Sequence, residues 1–159
     1  MSEDARYADG RDRPLDLGAV DAEDLKVISA LAQDAVFPAT EMRWEPRRHR
    51  FAVLLNRFRW EDRAAAEARG RPFERARALL VVEHAERVAS LGVDRGDPDT
   101  VLSLLSLDYD GPPEGPGTFT LVLAGDGAIR VEVEALEVRL RDVTRPYAAP
   151  SGKAPDHGA

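Results

Sequence analysis

Residues 118–134, TFTLVLAGDGAIRVEVE, constrain the fold of this chain more than any other stretch. On either side of Gly125-Asp126-Gly127 the sequence alternates apolar and polar residues, the period of a half-buried strand. The three central residues supply the permissive backbone that a tight reversal demands. Two strands joined this way run antiparallel, and a lone hairpin is not stable in water, so further strands must complete the sheet.

Those strands are legible elsewhere. Residues 14–20 (PLDLGAV) form a short strand, and 39–45 (ATEMRWE) alternate with Met42 and Trp44 on one side. Residues 50–58 (RFAVLLNRF) are apolar on both faces through Leu55, which predicts a central strand. Residues 73–93 have a helix-favouring composition, yet the run Leu79-Leu80-Val81-Val82 fits no single helical face, so two strands are expected near 75–83 and 86–91. Residues 94–99 are a turn, 101–109 a strand and 110–117 a loop. Residues 61–72 read as a long exposed connection with a helical turn.

Two helices are expected. Asp21 is a ready N-cap, Glu23 and Asp24 suit the first turn, and Leu25, Ile28, Leu31 and Ala35 share one face. Near Ala135 the spacing of Leu136, Leu140 and Val143, with Glu137 and Arg141 as an i,i+4 pair, predicts a closing helix over 134–143. The expected class is α+β: an antiparallel, bent sheet or small β-barrel with an early helix and a C-terminal helix. A pleckstrin-homology-like arrangement fits that order. One globular domain over 14–146 is expected, between disordered tails at 1–13 and 147–159.

Composition narrows the function. A net charge of −7 argues against nucleic acid as a partner, because phosphate neutralisation supplies most of that affinity. No apolar run approaches the roughly 20 residues that cross a bilayer, and the acidic start lacks a secretory signal, so a cytoplasmic protein without membrane contact is expected. There is no cysteine, hence no disulfide and no thiolate metal site. Lys26 and Lys153 are the only lysines and Asn56 and Gln33 the only side-chain amides, a bias of high-GC bacterial coding. The abundance of arginine therefore needs no functional explanation, while the two lone amides gain interest.

Catalytic constellations are missing. No G-x-S-x-G occurs, and the histidines stand apart at 49, 84 and 157. His84 lies between Glu83 and Glu86; on a strand it would share a face with Glu86, but local spacing offers no third metal ligand. The acidic turn at 94–99 lacks the order of a calcium loop. Neither a catalytic residue, a metal site nor a cofactor is assigned. In FAVLLNRFRWED (51–62), a strand would place Asn56, Phe58 and Trp60 on the inner face and Arg57 and Arg59 on the outer one, solvated or paired. Rings and cations on opposite faces make a poor nucleic-acid platform. Asn56 would then bridge backbone groups in the interior.

Four blocks in order, VDAEDLKVISALAQDAV, HRFAVLLNRFRWED, DPDTVLSLLSL and GDGAIRVEVEALEVRL, resemble an alphaproteobacterial family catalogued as domain of unknown function 2948. The resemblance covers residues 15–143; Arg59 stands where the family pattern has an acid, and Ala32 displaces the helix pattern. Gln33 and Asn56 both lie in matching blocks. The family carries no established activity, so the resemblance transfers no catalytic role. The expected function is a non-enzymatic binding or adaptor domain with a protein partner, or a homodimer through a strand edge or the closing helix. The alternative is a small-molecule-binding protein or small enzyme with a pocket near Asn56, Arg57 and His84. Candidate binding residues are Asn56, Arg57, Gln33, Trp60 and His84.

Overall fold

The computed structural model describes residues 14–94, 96–149, 154 and 155. The expected tail at 1–13 and His157 lie outside them. In chain order the elements are β1 (Asp16–Ala19), α1 (Ala22–Ala32), β2 (Val36–Pro38), β3 (Met42–Glu45), β4 (Arg50–Phe58), α2 (Arg63–Arg69), β5 (Glu74–Val82), β6 (Ala85–Leu91), β7 (Val101–Asp110), β8 (Gly117–Leu123), β9 (Ala128–Val133), β10 (Val138–Asp142) and β11 (Tyr147–Ala148). The strands described form one antiparallel sheet of order β1-β10-β5-β4-β2-β7-β8-β9-β6, with β3 also on β4 and β11 also on β5. The sheet is bent and does not close.

The bend has local causes. Register shifts between Ala85 and Arg87 on β6, and between Leu104 and Ser106 on β7, mark irregularities of the kind that turn a strand out of plane. Inner faces of both halves then meet in one core. Phe51, Val53 and Leu55 of β4, Leu80 and Val82 of β5, Phe119 and Leu121 of β8, and Ile129 and Val131 of β9 are all buried there. Each such side chain contributes about 1.5–3 kcal/mol when fully buried. The helix α1 adds Leu25, Ile28 and Ala32 to this core. Its Asp21 cap forms as expected, with Oδ1 accepting from the Asp24 N–H at 2.8 Å. Ser29 Oγ accepts from the Leu107 N–H at 2.9 Å, tying the helix to β7 just past its irregularity.

Three expectations are corrected. The closing helix over 134–143 does not exist; β10 runs there, between β1 and β5. Leu136, Val138 and Leu140 are buried while Glu137, Arg139 and Arg141 are exposed, so a period of two overrides the four-and-three spacing of Leu136, Leu140 and Val143. The exposed connection at 61–72 holds the short helix α2, ended by Gly70 in the left-handed region (φ 63°). Tyr147 and Ala148, placed in a tail by the sequence, pair with Arg75 and Glu74 of β5, and Ala149 is buried behind them.

Candidate functional site

Alternation along β4 sends Phe51, Val53, Leu55 and Arg57 inward and Ala52, Leu54 and Asn56 outward, reversing the expected facing of Asn56 and Arg57. Arg57 is fully buried. It is accommodated because acids converge on it from two other elements. Its Nε and Nη2 donate to the Asp142 carboxylate at 2.8 and 2.9 Å, and Nη1 and Nη2 donate to Glu61 at 2.9 and 2.7 Å. A longer bond to the Phe58 carbonyl oxygen, at 3.4 Å, occupies the fifth guanidinium N–H. Burial works against the charge, but the bonds to Glu61 and Asp142 outweigh it and hold the Arg57 pKa above its ordinary value. Asp142 Oδ2 also accepts from the Leu15 N–H at 2.9 Å, so the same carboxylate fastens the start of the sheet.

The other arginines of this corner are consumed in the same way. Arg59 pairs with Glu74 at 2.7 Å, and Arg71 donates to both Asp62 oxygens at 2.5 and 2.6 Å. The Arg71 bonds hold the Asp62 carboxyl below its ordinary pKa although burial opposes them. Asn56 Oδ1 accepts from Arg75 Nε at 2.8 Å, and Arg75 Nη2 reaches the Asn56 and Asp34 carbonyl oxygens at 3.3 and 3.5 Å. Burial lowers the Arg75 pKa, with Tyr147 and Asp34 opposing. Trp60 sits in a single 3-10 turn after β4, half-buried, its indole N–H donating to the Gln33 carbonyl at 2.9 Å. Gln33 thus takes part through its backbone. The structure brings Asn56, Arg57, Gln33 and Trp60 into one corner, and it engages each of them internally.

His84 is elsewhere, about 25 Å further along β5 from the level of Arg57. It occupies the turn between β5 and β6 in the left-handed region (φ 57°), off the strand, and its Nε2 lies 2.8 Å from Glu137 Oε1 rather than beside Glu86. Asn56 and His84 therefore do not line one pocket. Among the described residues no three His, Asp or Glu side chains group to hold a metal ion.

A concavity of about 710 Å³ lies on the outer face of β3, β4, β5, β10 and β1. Cross-strand register builds it in rows. One row runs Arg43, Ala52, Val81, Arg139, Gly18, and the next runs Leu54, Leu79, Arg141, Asp16. The floor is aliphatic because Ala52 and Gly18 leave room above it and Leu79 and Val81 stand between them. Charges form the walls. Arg50 donates to Glu83 at 2.6 and 3.2 Å, and Arg139 donates to Asp16 at 2.8 and 2.7 Å. These bonds hold the Glu83 and Asp16 carboxyls below their ordinary pKa values, with desolvation opposing in each case. The paired groups are ionised walls of the hollow.

A family model described as "Protein of unknown function (DUF2948)" matches residues 15–157. The chain belongs to this family. Comparison with curated proteins and with solved structures found no match. The DUF2948 match begins at β1 and runs past β11, so it takes in both the arginine corner and the concave face. Sequence reasoning found the corner through its lone amides and missed the face, since two of its arginines lay in a segment read as helix. The signal was present in the alternation of Leu136, Val138 and Leu140 with Glu137, Arg139 and Arg141.

Proposed function

We propose that this DUF2948 chain is a non-enzymatic binding domain of the bacterial cytoplasm that engages a protein partner on the concave face of β3, β4, β5, β10 and β1. One observation carries the reading: the hollow on the outer face of these strands has an aliphatic floor of Ala52, Leu79 and Val81 inside charged walls. Leu79 and Val81 are half-buried there with no described element of this chain over them, the character of an interaction surface. Asp16 and Glu83 in its walls are bonded to Arg139 and Arg50, and Glu137 to His84; no nucleophile with an adjoining base stands over the floor among the described residues. The bent antiparallel sheet favours a pleckstrin-homology-like scaffold, while the replacement of a closing helix by β10 counts against that comparison. No described helix is long and apolar enough to cross a membrane.

The test exploits Gly18. A Cβ there would meet only the Val138 carbonyl oxygen, at 3.8 Å, so Gly18→Trp fills the hollow without disturbing the sheet. Affinity capture from native cytoplasm should recover a partner with the unaltered chain, lose it with Gly18→Trp, and keep it with Arg130→Gln on the other half of the sheet. A partner retained by Gly18→Trp would place recognition elsewhere. Saturable binding of a metabolite with no protein recovered would favour the small-molecule reading.

A further inference from the structure

We infer that the concave face selects a partner segment in which a carboxylate stands beside aliphatic side chains, with Arg141 in the hollow and Arg77 just beyond its lining as the anion-binding pair. This rests on the binding reading above and adds the chemistry of what is bound.

Asp16 is the acid directly across from Arg141, but both its oxygens are taken by Arg139. Arg141 is left exposed, with no ion pair to any described residue, and so is Arg77. The two are diagonal neighbours: Arg141 lies opposite Leu79, and the Val143 N–H donates to the Arg77 carbonyl at 2.8 Å, which fixes Arg77 one step along the same face. Diagonal positions in a sheet lie about 7–8 Å apart, within reach of two long side chains converging on one acid. Leu79 and Leu54 stand beside the pair, and the exposed Val143 flanks it. Asp16 is shared between Arg139 and Arg141, and Arg77 has no ion pair to a described residue, so the guanidinium charge here exceeds that one carboxylate; beside aliphatic side chains it is complementary to an acidic, aliphatic segment. The hollow is open along its rim, where Val20 is 59% exposed. A peptide lying across such an open hollow needs no enclosure.

The test is selection of a displayed random-peptide library on the full-length chain at low salt, followed by titration of synthetic peptides from the winners. Enrichment of Asp or Glu flanked by Leu, Ile or Val is expected. Arg141→Gln should weaken the winners about tenfold, the loss of a charge-assisted hydrogen-bond pair. Replacing the peptide acid by its amide should do the same, and the two changes together should add little more. Arg130→Gln should change nothing. Winners without an acid that are displaced by Gly18→Trp would overturn the charge selectivity while leaving the binding reading standing. Acidic winners indifferent to Arg141→Gln would also overturn it. A library that yields no binder would sink both.

Discussion

Arginine is used in two opposite ways in this molecule. In the corner, Arg57, Arg59, Arg71 and Arg75 are wholly or largely buried and each reaches an internal acceptor. On the outer face of the sheet, Arg50 and Arg139 are paired with Glu83 and Asp16, while Arg43, Arg77 and Arg141 are exposed and have no ion pair to a described residue. The difference is supplied by neighbours and not by the residue. Where Asp142, Glu61, Asp62 and Glu74 converge, guanidinium groups join β4, β5, β10 and α2; where Asp16 is already taken, they remain available for a partner. Burial in an arginine-rich chain is therefore a poor guide to function, and uncompensated exposure a better one.

The sharpest contrast should come from Asp142→Ala. Taking from buried Arg57 the buried one of its two carboxylates is expected to destabilise the fold by about 3–5 kcal/mol, read from urea unfolding. The double variant Arg57→Met with Asp142→Leu should recover most of that loss, because the unpaired charge is removed. A double variant as unstable as the single one would show that the corner depends on shape and not on charge.

Asp62→Asn should cost about 2 kcal/mol near neutral pH, as expected for hydrogen bonds to a charged group. The sign of its pH dependence follows from the depressed carboxyl. Asp62 contributes fully above the unfolded-state value, about 3.9, and loses that contribution as pH falls through the lower folded-state value. Unfolding midpoints of the unaltered chain and of Asp62→Asn should thus converge as pH drops below about 4. A constant gap down to strong acid would mean that the Arg71 bonds do not depend on ionisation.

Asn56→Ala should have a smaller effect, about 1 kcal/mol, by leaving Arg75 Nε without its acceptor. At the far end of the scale, Arg141→Gln should leave the thermal midpoint unchanged while weakening peptide binding. A drop in the midpoint would assign Arg141 to the framework and erase the contrast between the two regions.

Most of the sheet could be read from periodicity, because strands such as 118–123 and 128–133 alternate between water and core in a way no other element reproduces. Reading β5 and β6 as strands despite their helix-favouring composition succeeded for the same reason. Residues 134–143 carry both periods, since Leu136 and Leu140 belong at once to the four-and-three spacing with Val143 and to the alternation that forms β10. In a strand, Glu137 and Arg141 stand about 13 Å apart along one face and cannot pair as they would on a helix. The inward facing of Arg57 was invisible for a different cause. Hydrophobic pattern assigns a charge to water, and only the tertiary arrival of Asp142 reverses that assignment. The lone asparagine did mark a structured place, though its task is to hold an arginine on the outer side of β4.

The clamp at Arg57 also dictates when the molecule can become itself. Asp142 lies 85 residues beyond Arg57, and its bond to Leu15 spans 127. At about 5–20 residues per second, a ribosome needs about 4–17 s between making the arginine and making the second of its two acids. Throughout that interval Arg57 has Glu61 alone as counter-ion, and β5 lacks the strand β10 that pairs with it. Maturation is thus set by the arrival of a residue near the end of the sheet, and a nascent chain halted before position 142 remains open to chaperone and protease.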